Sequence, residues 1–144
     1  MTDRSTKPDN LHASAVALGP AGLLIVGASG TGKSSLALEL MARGARLVAD
    51  DQVMLLPKEE GLRLSPHPRL AGKIEARGVG ILEVPYASAV AHWVVTLDEI
   101  ETARLPEMHQ TVIAGVQLPL LKKVESPMFP SILIALLSGG RSAP

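Results

Sequence analysis

The chain has 144 residues, 47% of them hydrophobic, which is enough for one compact domain with a single core. Its 14 Lys and Arg residues balance 14 Asp and Glu residues, which excludes a general electrostatic attraction to nucleic acid or to an anionic membrane. No cysteine is present and the four histidines lack metal-ligand spacing, so any metal must be held by oxygen. We expect a cytoplasmic protein, because no apolar signal segment and no membrane-spanning run is found.

The polar ends of the chain are expected to be flexible, with one domain between them. Residues 1–10 carry charges, Ser, Thr and Pro without periodicity, and residues 138–144 are Gly-rich and polar. We therefore place the folded domain at residues 11–137.

A β-hairpin and a helix are predicted in the first third of the chain. Residues 11–18 partly alternate between apolar and polar and stop at the turn sequence of residues 19–22, before the apolar run of residues 23–26. From residue 33 to residue 43 the apolar side chains fall at helical spacing, and Gly44 is placed to cap the helix.

A short strand that ends in two acids is predicted next. Residues 46–49 form an apolar strand, Asp50 and Asp51 follow, and residues 53–56 continue extended. Residues 58–61 are typical of a hairpin turn. The two acids therefore lie at the end of a strand.

Two further strands and a closing helix are predicted in the second half. Residues 92–97 and residues 111–116 each have the character of a strand. Residues 127–137 fit a helix with Ser126 as a candidate cap, although their Ile and Leu content also fits a strand.

The strongest motif is GASGTGKS, a complete P-loop pattern G-x-x-x-x-G-K-[ST] between a predicted strand and a predicted helix, as that motif requires. It predicts a nucleotide-binding loop made of Gly27, Ala28, Ser29, Gly30, Thr31, Gly32, Lys33 and Ser34. Its glycines let backbone N–H groups turn around phosphate oxygens, at the positive end of the following helix. Lys33 reaches the β- and γ-phosphates of a nucleotide in such a loop, and Ser34 supplies a hydroxyl to Mg²⁺.

A triphosphate site also needs an acid to fix Mg²⁺ and, for transfer to a hydroxyl, a carboxylate to accept the proton. Asp50 and Asp51 fit these tasks, because the short connection can bring the strand end near the P-loop. Neighbouring side chains on an extended strand point to opposite sides, so we expect different roles for the two acids. A solvated strand end is the alternative interpretation.

Residues 75–80 form a second charged and Gly-rich segment. Ile74 and Ile81 flank this segment, so we expect an ordered loop that returns to a core. By spacing alone, Glu75 and Arg77 are more often a surface charge pair than catalytic groups, and His12 is more often a surface residue of a strand.

Three blocks of the sequence, in this order along the chain, are typical of one protein family. They are LHA at residues 11–13, GASGTGKSSLALELMARGARLVADDQV at residues 27–53 and IEARGVGILEV at residues 74–84. Together they resemble the C-terminal catalytic domain of the HPr kinase/phosphorylase family, bacterial enzymes that phosphorylate a serine of the phosphocarrier protein HPr. The resemblance implies an α/β fold, a P-loop kinase core with a mixed β-sheet related to that of phosphoenolpyruvate carboxykinase, assembled as a hexamer. It also implies ATP and Mg²⁺ as cofactors and an HPr-like phosphocarrier protein as the substrate.

The resemblance implies a role for each candidate residue. Lys33 would contact phosphate, and Ser34 and Glu75 would position Mg²⁺. Asp51 would accept the proton of the attacking serine. The matching histidine of the family sits close to that aspartate, so His12 would tune or assist the proton transfer.

The sequence also departs from the family's pattern. Arg77 lies in the E-x-R-G segment, where a charge near the phosphoryl group is expected, but Ala76 replaces a larger apolar residue. The family's N-terminal domain has no counterpart, so we expect the short form of the enzyme. No arginine stands at residues 115–126, where a late catalytic loop should lie, which makes the reverse reaction, phosphorolysis, doubtful. Lys122 and Lys123 lack the planar fork of arginine and are left out of the site.

A protein serine kinase is thus the leading interpretation. A small-molecule P-loop kinase would need a lid helix with arginines, and a GTPase would need a guanine-reading N-K-x-D segment; neither is evident. The alternative from another class is a sensory module that binds ATP and regulates a partner without phosphotransfer, which the missing arginine keeps open.

Overall fold

The structure is a computed structural model that describes residues 9–142. Within this range the chain forms eleven strands and two α-helices. In chain order they are β1 (Asp9–Leu11), β2 (Ser14–Leu18), β3 (Ala21–Val26), α1 (Lys33–Ala42), β4 (Arg46–Ala49), β5 (Val53–Lys58), β6 (Gly61–Pro66), β7 (Lys73–Ala76), β8 (Gly80–Glu83), β9 (Ala89–Ile100), β10 (His109–Ile113), β11 (Val116–Lys123) and α2 (Phe129–Gly139).

Nine of the described strands form one mixed sheet around β9. Its main order is β1-β5-β6-β9-β3-β2-β4, and β11 pairs with the later part of β9 and carries β10. β9 runs parallel to β3 and to β11, whereas the remaining pairs of this sheet are antiparallel. β7 and β8 form a separate antiparallel hairpin. The expected α/β fold with a mixed sheet is therefore confirmed.

The core lies on both faces of the sheet, and β3 is buried on each of them. Leu23 and Ile25 pack on the helical face with Leu40 of α1 and Leu133 of α2. Leu24 points to the opposite face, because side chains alternate along a strand, and joins the cluster that links β5 and β6 to β2 and β4. This double burial explains why β3 is an unbroken apolar run.

The predicted hairpin is confirmed, although its first strand is shorter than expected. β2 and β3 pair from Ser14↔Ile25 to Leu18↔Ala21. Leu11 belongs instead to β1, which pairs with β5 through Asp9↔Leu55, Asn10↔Met54 and Leu11↔Val53. Asp9 and Asn10, which we expected in the flexible N-terminus, are thus held in the sheet edge. The rest of that expectation, residues 1–8, lies outside the described residues.

The helix and the strands around the acids follow the prediction closely. α1 ends at Ala42, and Gly44 has a φ of 111°, donating its N–H to the Met41 carbonyl at 3.1 Å. Gly44 therefore ends the helix in the left-handed region that a side chain disfavours. The turn at residues 58–61 is also confirmed, because Lys58 pairs with Gly61.

One of the two strands predicted in the second half is wrong. Residues 111–116 are not one strand, because Ala114 (φ 50°) and Gly115 (φ 81°) make a tight turn between β10 and β11. Two consecutive left-handed residues are the geometry of a two-residue hairpin turn, and Ile113 pairs with Val116 across it. The expected strand at residues 92–97 is confirmed as the middle of β9.

The closing helix is confirmed over a slightly later range. The expected cap at Ser126 is wrong, because the N-cap position is Met128 and carries no side-chain cap bond. The Oγ of Ser126 instead accepts a hydrogen bond from the backbone N–H of Met128 at 3.0 Å, in the turn before α2. Ser138 and Gly139, which we expected in the flexible C-terminus, are the last residues of α2. No helix in residues 9–142 is long and apolar enough to cross a membrane.

Candidate nucleotide-binding and phosphotransfer site

The P-loop connects β3 to α1 through a backbone that only glycine adopts readily. Gly30 and Gly32 have φ values of 83° and 98°, in the left-handed region. A Cβ atom on Gly27 would lie 2.7 Å from the Thr31 hydroxyl, so any side chain there would force the loop apart. α1 has neither a side-chain cap nor an acid in its first turn, and its positive end is open to an anion.

Lys33 lies inside the loop and is only 7% exposed. Its Nζ donates to the carbonyl oxygens of Gly27 at 2.8 Å and of Ala28 at 3.0 Å. The Thr31 hydroxyl donates to the same Ala28 oxygen at 2.7 Å. These bonds tie the two halves of the loop together and hold an ammonium group where phosphate oxygens would converge.

Asp98 also supports the loop, and the sequence interpretation missed it. Its Oδ1 accepts the backbone N–H of Ala28 at 2.9 Å. Asp98 follows the apolar stretch of β9, whose neighbour in the sheet is the P-loop strand β3. An acid directly after a buried strand is the same signal that singled out Asp50. What the signal lacks is the pairing of β3 with β9, which only the tertiary fold supplies.

Asp50 is a buried carboxylate that joins three elements. It is 5% exposed. Its Oδ1 accepts hydrogen bonds from the hydroxyls of Ser14 and Ser34, each at 2.7 Å, and its Oδ2 accepts the Glu75 N–H at 3.3 Å. A buried charge needs such partners. Ser14, which sequence reasoning did not select, therefore anchors the acid from β2.

Asp51 is exposed, unlike Asp50, but both acids lie beyond the end of β4 at Ala49, so the expected alternation along an extended strand does not apply to them. Its side chain is 59% exposed, and its Oδ1 lies 3.1 Å from Nε2 of His12. Its φ of 71° is unusual for a residue other than glycine. The N–H of Ala13 bonds the Asp51 carbonyl at 3.3 Å, so the strained turn is braced by the segment that carries His12.

Most of the candidate residues open onto one cavity of about 250 Å³, which we call the acid-lined cavity. It is lined by His12, Ser14, Ser29, Gly30, Gly32, Lys33, Ser34, Ser35, Asp51, Glu75 and Arg77. Glu75 and Arg77 reach it from β7 and from the turn before β8, so they are not merely a distant charge pair. Gly27, Ala28, Thr31 and Asp50 are not part of this lining, and Asp50 lines the neighbouring cavity instead.

A second cavity of about 510 Å³, the Arg69 cavity, adjoins the first and shares Ser34, Asp51 and Glu75 with it. Its further lining includes Arg69 and Lys73, two cations that the sequence interpretation did not select. Ile81 also lines this cavity and is 62% exposed, so of the two isoleucines that flank residues 75–80 only Ile74 lies in the core, and the expectation is wrong for Ile81. The reason is that β8 pairs only with β7 among the described strands, and Ile74 alone of the two isoleucines is buried.

The donor atoms at this site fit magnesium and phosphate. The Ser34 hydroxyl and the Glu75 carboxylate are hard oxygen ligands in one cavity, and Asp50 orients Ser34. No group of three His, Cys, Asp or Glu side chains in residues 9–142 could hold a metal by itself. A cation here would therefore take its remaining ligands from phosphate and water, as Mg²⁺ commonly does.

The comparison with protein families decides the family. The model of the HPr serine kinase C-terminal domain matches residues 4–116. This chain belongs to that family. Two relatives named HPr kinase/phosphorylase are from Chlorobium phaeobacteroides, 33% identical over 141 residues, and from Pediococcus pentosaceus, 41% identical over 85 residues. The matches cover 88% and 58% of this chain but only 42% and 27% of the relatives.

A solved structure agrees with the fold of this family member. The structure of the Hpr(Ser) kinase/phosphatase from Coxiella burnetii superposes with a TM-score of 0.75 at 24% sequence identity. The match covers 90% of this chain and 88% of that one. The resemblance in the three sequence blocks is thus confirmed as common family membership.

The segment in which the family's late arginine was expected lies away from the acids. Residues 115–126 contain all of β11 and the start of the loop after it, and neither the acid-lined cavity nor the Arg69 cavity includes any of them. Lys122 pairs with Glu99 at 3.2 Å. Lys123 lines a separate cavity together with Thr31 and Gly32 of the P-loop.

Proposed function

We propose that this chain is a protein serine kinase that transfers the γ-phosphoryl group of ATP, with Mg²⁺, to a serine of HPr or a close relative. One observation carries the proposal: the P-loop cation Lys33 and the Asp51–His12 pair open onto the same cavity. Phosphoryl transfer needs a positive cradle on one side and a proton acceptor on the other. The names of the relatives supply the acceptor class.

Each residue has a task in this mechanism. Lys33 and the N-terminal amides of α1 stabilise the charge on the phosphates. Ser34 and Glu75 would hold Mg²⁺, which neutralises charge on the β- and γ-phosphates when it is bound, and Asp50 orients Ser34 from behind.

The chemical step is a displacement at phosphorus. The serine oxygen forms a bond to the γ-phosphorus while the bond from that phosphorus to the β,γ-bridging oxygen breaks, which releases ADP. Asp51 accepts the serine proton, and His12, 3.1 Å away, stabilises the carboxylate and relays the proton outward. Arg77 lies in the same cavity and offers positive charge to the transferred group.

The exposure of Asp51 supports a protein as the acceptor. A carboxylate with 59% of its side chain in solvent can be reached by a serine on the surface of another protein. The adjoining Arg69 cavity offers that protein two cations, Arg69 and Lys73, and the exposed Ile81. A small-molecule kinase would instead enclose its substrate.

Purified HPr and radiolabelled ATP test the proposal. We expect phosphoserine on HPr with the natural chain, and a loss of kcat of about a hundred-fold to ten-thousand-fold in Asp51→Asn. The affinity for ATP should be retained, since Asn fits the left-handed backbone and the P-loop is untouched. Asp9→Asn, a change on the exposed edge strand β1, is the matched control.

A sensory module that binds ATP without transferring phosphate is the second candidate. The absence of an arginine at residues 115–126 favours it, and for the same reason phosphorolysis is not part of our proposal. Tight ATP binding without transfer to HPr or to any other phosphocarrier would select the sensor and overturn the kinase.

The hexamer that the resemblance implies and the cytoplasmic location expected from the sequence belong to the same proposal. The exposed side chains of Val79, Ile81 and Tyr86 offer apolar surface for contact between subunits. Sedimentation velocity of the natural chain tests this assembly, and a monomer at micromolar concentration would contradict it.

A further inference from the structure

A cavity of about 530 Å³ is lined by side chains from α2, from β11 and from the segment that joins β9 to β10, residues 101–108. We call it the Arg141 cavity, after the arginine that follows α2 and belongs to the lining. It shares no lining residue with the acid-lined cavity or with the Arg69 cavity. The proposed phosphotransfer therefore makes no use of this space.

The α2 side of the Arg141 cavity is apolar. Phe129, Ile132, Leu133 and Leu136 line it at the three- and four-residue spacing that places side chains on one face of a helix. Leu133 is fully buried, whereas Ile132 is 47% exposed, so the cavity reaches from the core to the surface. A space of this volume with apolar walls and a few polar groups is typical of a small-molecule site.

Arg141 ties the end of α2 to the segment before β10. One of its guanidinium nitrogens donates to the carbonyl oxygen of Pro106, and another lies 3.8 Å from the sulfur of Met108. Both acceptors are uncharged, and Arg141 has no ion pair within the described residues 9–142. A guanidinium has more N–H donors than these two contacts use, so Arg141 can bind an anion in the cavity.

The carboxylate of Glu101 also belongs to the lining, but its oxygens already have partners. One oxygen lies 2.9 Å from Nε2 of His109, and the other accepts the backbone N–H groups of Thr102 and Ala103, each at 3.1 Å. Its side chain is only 13% exposed. Glu101 therefore holds the start of the segment in place and does not neutralise Arg141.

The remaining charges of the lining leave an excess of positive charge. Lys122 is paired with Glu99 at 3.2 Å. Arg104 and Arg141 are then two cations against one carboxylate, Glu107, which leaves one positive charge in excess. A ligand with a single negative charge balances this excess, whereas a dianionic phosphate would not be neutralised.

We propose that the Arg141 cavity binds a small carboxylic acid with an apolar body, such as a medium-chain fatty acid. The apolar body packs against Phe129, Leu133 and Leu136. The carboxylate accepts charge-assisted hydrogen bonds from Arg141, whose planar guanidinium matches the geometry of a carboxylate. This site is separate from the proposed kinase function and does not depend on it.

Calorimetry with decanoate and with decanol, which has the same apolar body without the charge, tests the role of Arg141. Arg141→Gln should weaken decanoate binding at least about ten-fold and leave decanol binding within about two-fold. Arg63→Gln, which removes the same charge from an exposed position on β6, is the matched control and should change neither affinity. Absence of saturable decanoate binding to the natural chain, or equal decanoate affinity in Arg141→Gln, would overturn the inference.

The length of the fatty acid tests the apolar part of the site. From hexanoate through octanoate to decanoate, each added methylene group should strengthen binding about four-fold, because each one leaves water for an apolar wall. An affinity that does not change with chain length would mean that the acids bind only through their charge, and would contradict the apolar cavity as the site.

Nuclear Overhauser effects between decanoate and the natural chain locate the ligand. We expect contacts from the methylene groups of decanoate to the methyl groups of Leu133 and Leu136. Contacts to Ile74 and Ile81 instead would place the acid in the Arg69 cavity and overturn the inference. If Arg141→Gln does not fold, which loss of its melting transition would reveal, these contacts in the natural chain decide.

A second copy of this chain is the competing occupant of the exposed part of the cavity. Ile132→Trp places a larger side chain there and should weaken decanoate and decanol alike, by at least about ten-fold. If the natural chain binds no decanoate, and sedimentation velocity shows an oligomer that Ile132→Trp dissociates, the cavity is a subunit contact and the inference is wrong.

Discussion

Two regions of the molecule use polar groups differently. We call residues 27–34 with Asp50 and Asp51 the phosphate end, and β10, β11 and α2 the α2 end. At the phosphate end Lys33 and Asp50 are buried and bonded to several partners, and Asp51 occupies a strained backbone region. At the α2 end apolar side chains such as Leu133 fill the core. The contrast teaches that function and stability are separated in space. Substitutions at the phosphate end should therefore lower kcat, whereas substitutions at the α2 end should lower the free energy of unfolding.

Lys33→Ala, at the phosphate end, should cause the largest loss of kcat. Removing the ammonium group takes positive charge away from the transferred phosphoryl group, and kcat should fall at least about a thousand-fold. The melting temperature should change little, because the loop loses two hydrogen bonds but no core side chain. HPr phosphorylation with radiolabelled ATP and thermal melting by circular dichroism measure the two effects.

The matched control for that change is Lys122→Ala at the α2 end. Lys122 pairs with Glu99 on the surface, and losing such a pair should leave kcat within about two-fold. If a folded Lys33→Ala protein turns over like the natural chain, residues 27–34 are not the phosphate-binding loop of the reaction.

Leu133→Ala, at the α2 end, should lower the stability of the fold and leave kcat unchanged. Leu133 is fully buried against α1 and β3, so truncation leaves a cavity and should cost about 2–5 kcal/mol of the free energy of unfolding. The kcat per folded molecule should persist, because Leu133 touches no residue of the cradle.

Urea unfolding compares Leu133→Ala with Ile132→Ala, its neighbour in the sequence. Ile132 is 47% exposed, so its truncation to alanine should lower the free energy of unfolding far less. Equal losses of unfolding free energy at the two positions would show that α2 is not packed as described. That result would contradict the separation of function and stability between the two ends.

Asp98→Ala should have a smaller effect, confined to nucleotide binding. Without the Asp98 carboxylate the N–H of Ala28 loses its 2.9 Å bond, the P-loop becomes less ordered, and KM for ATP should rise about five- to ten-fold. Asp98→Asn keeps an oxygen acceptor and should restore most of the affinity. If both variants bind ATP as tightly as the natural chain, Asp98 has no positioning role.

The phosphate end could be predicted from sequence because its signals are local. The P-loop pattern, the helical spacing after Lys33 and the two acids directly after the apolar strand each depend on residues close together in the chain. Ser14 and Asp98 could not be found this way. Their contacts with Asp50 and with Ala28 span 36 and 70 residues and arise from strand pairing that no local pattern specifies.

The α2 end was harder to predict because its apolar runs are ambiguous. Residues 111–116 appear as one continuous apolar run, and the turn at Ala114 and Gly115 uses an alanine in a left-handed conformation that local propensity disfavours. Ile81 shows the same limit, since an isoleucine that flanks a loop predicts a return to the core that β8, paired with β7 in a small separate sheet, does not provide.

Glu101→Gln should give the smallest effect, and it is visible only as a dependence on pH. At the α2 end the hydrogen bond from His109, at 2.9 Å, followed by that from the Ala103 N–H, lowers the pKa of Glu101 below its ordinary value of 4.5. A carboxyl whose pKa is lower in the folded state stabilises the fold above pH 4.5, and this contribution is lost as the pH falls through the lowered pKa. Urea unfolding from about pH 6 to about pH 3 should therefore show the natural chain more stable than Glu101→Gln at the upper limit and the difference shrinking towards the lower limit. Glu60→Gln, in the exposed turn between β5 and β6, is the control. A difference that stays constant or grows on acidification would mean that the Glu101–His109 contact does not stabilise the α2 end.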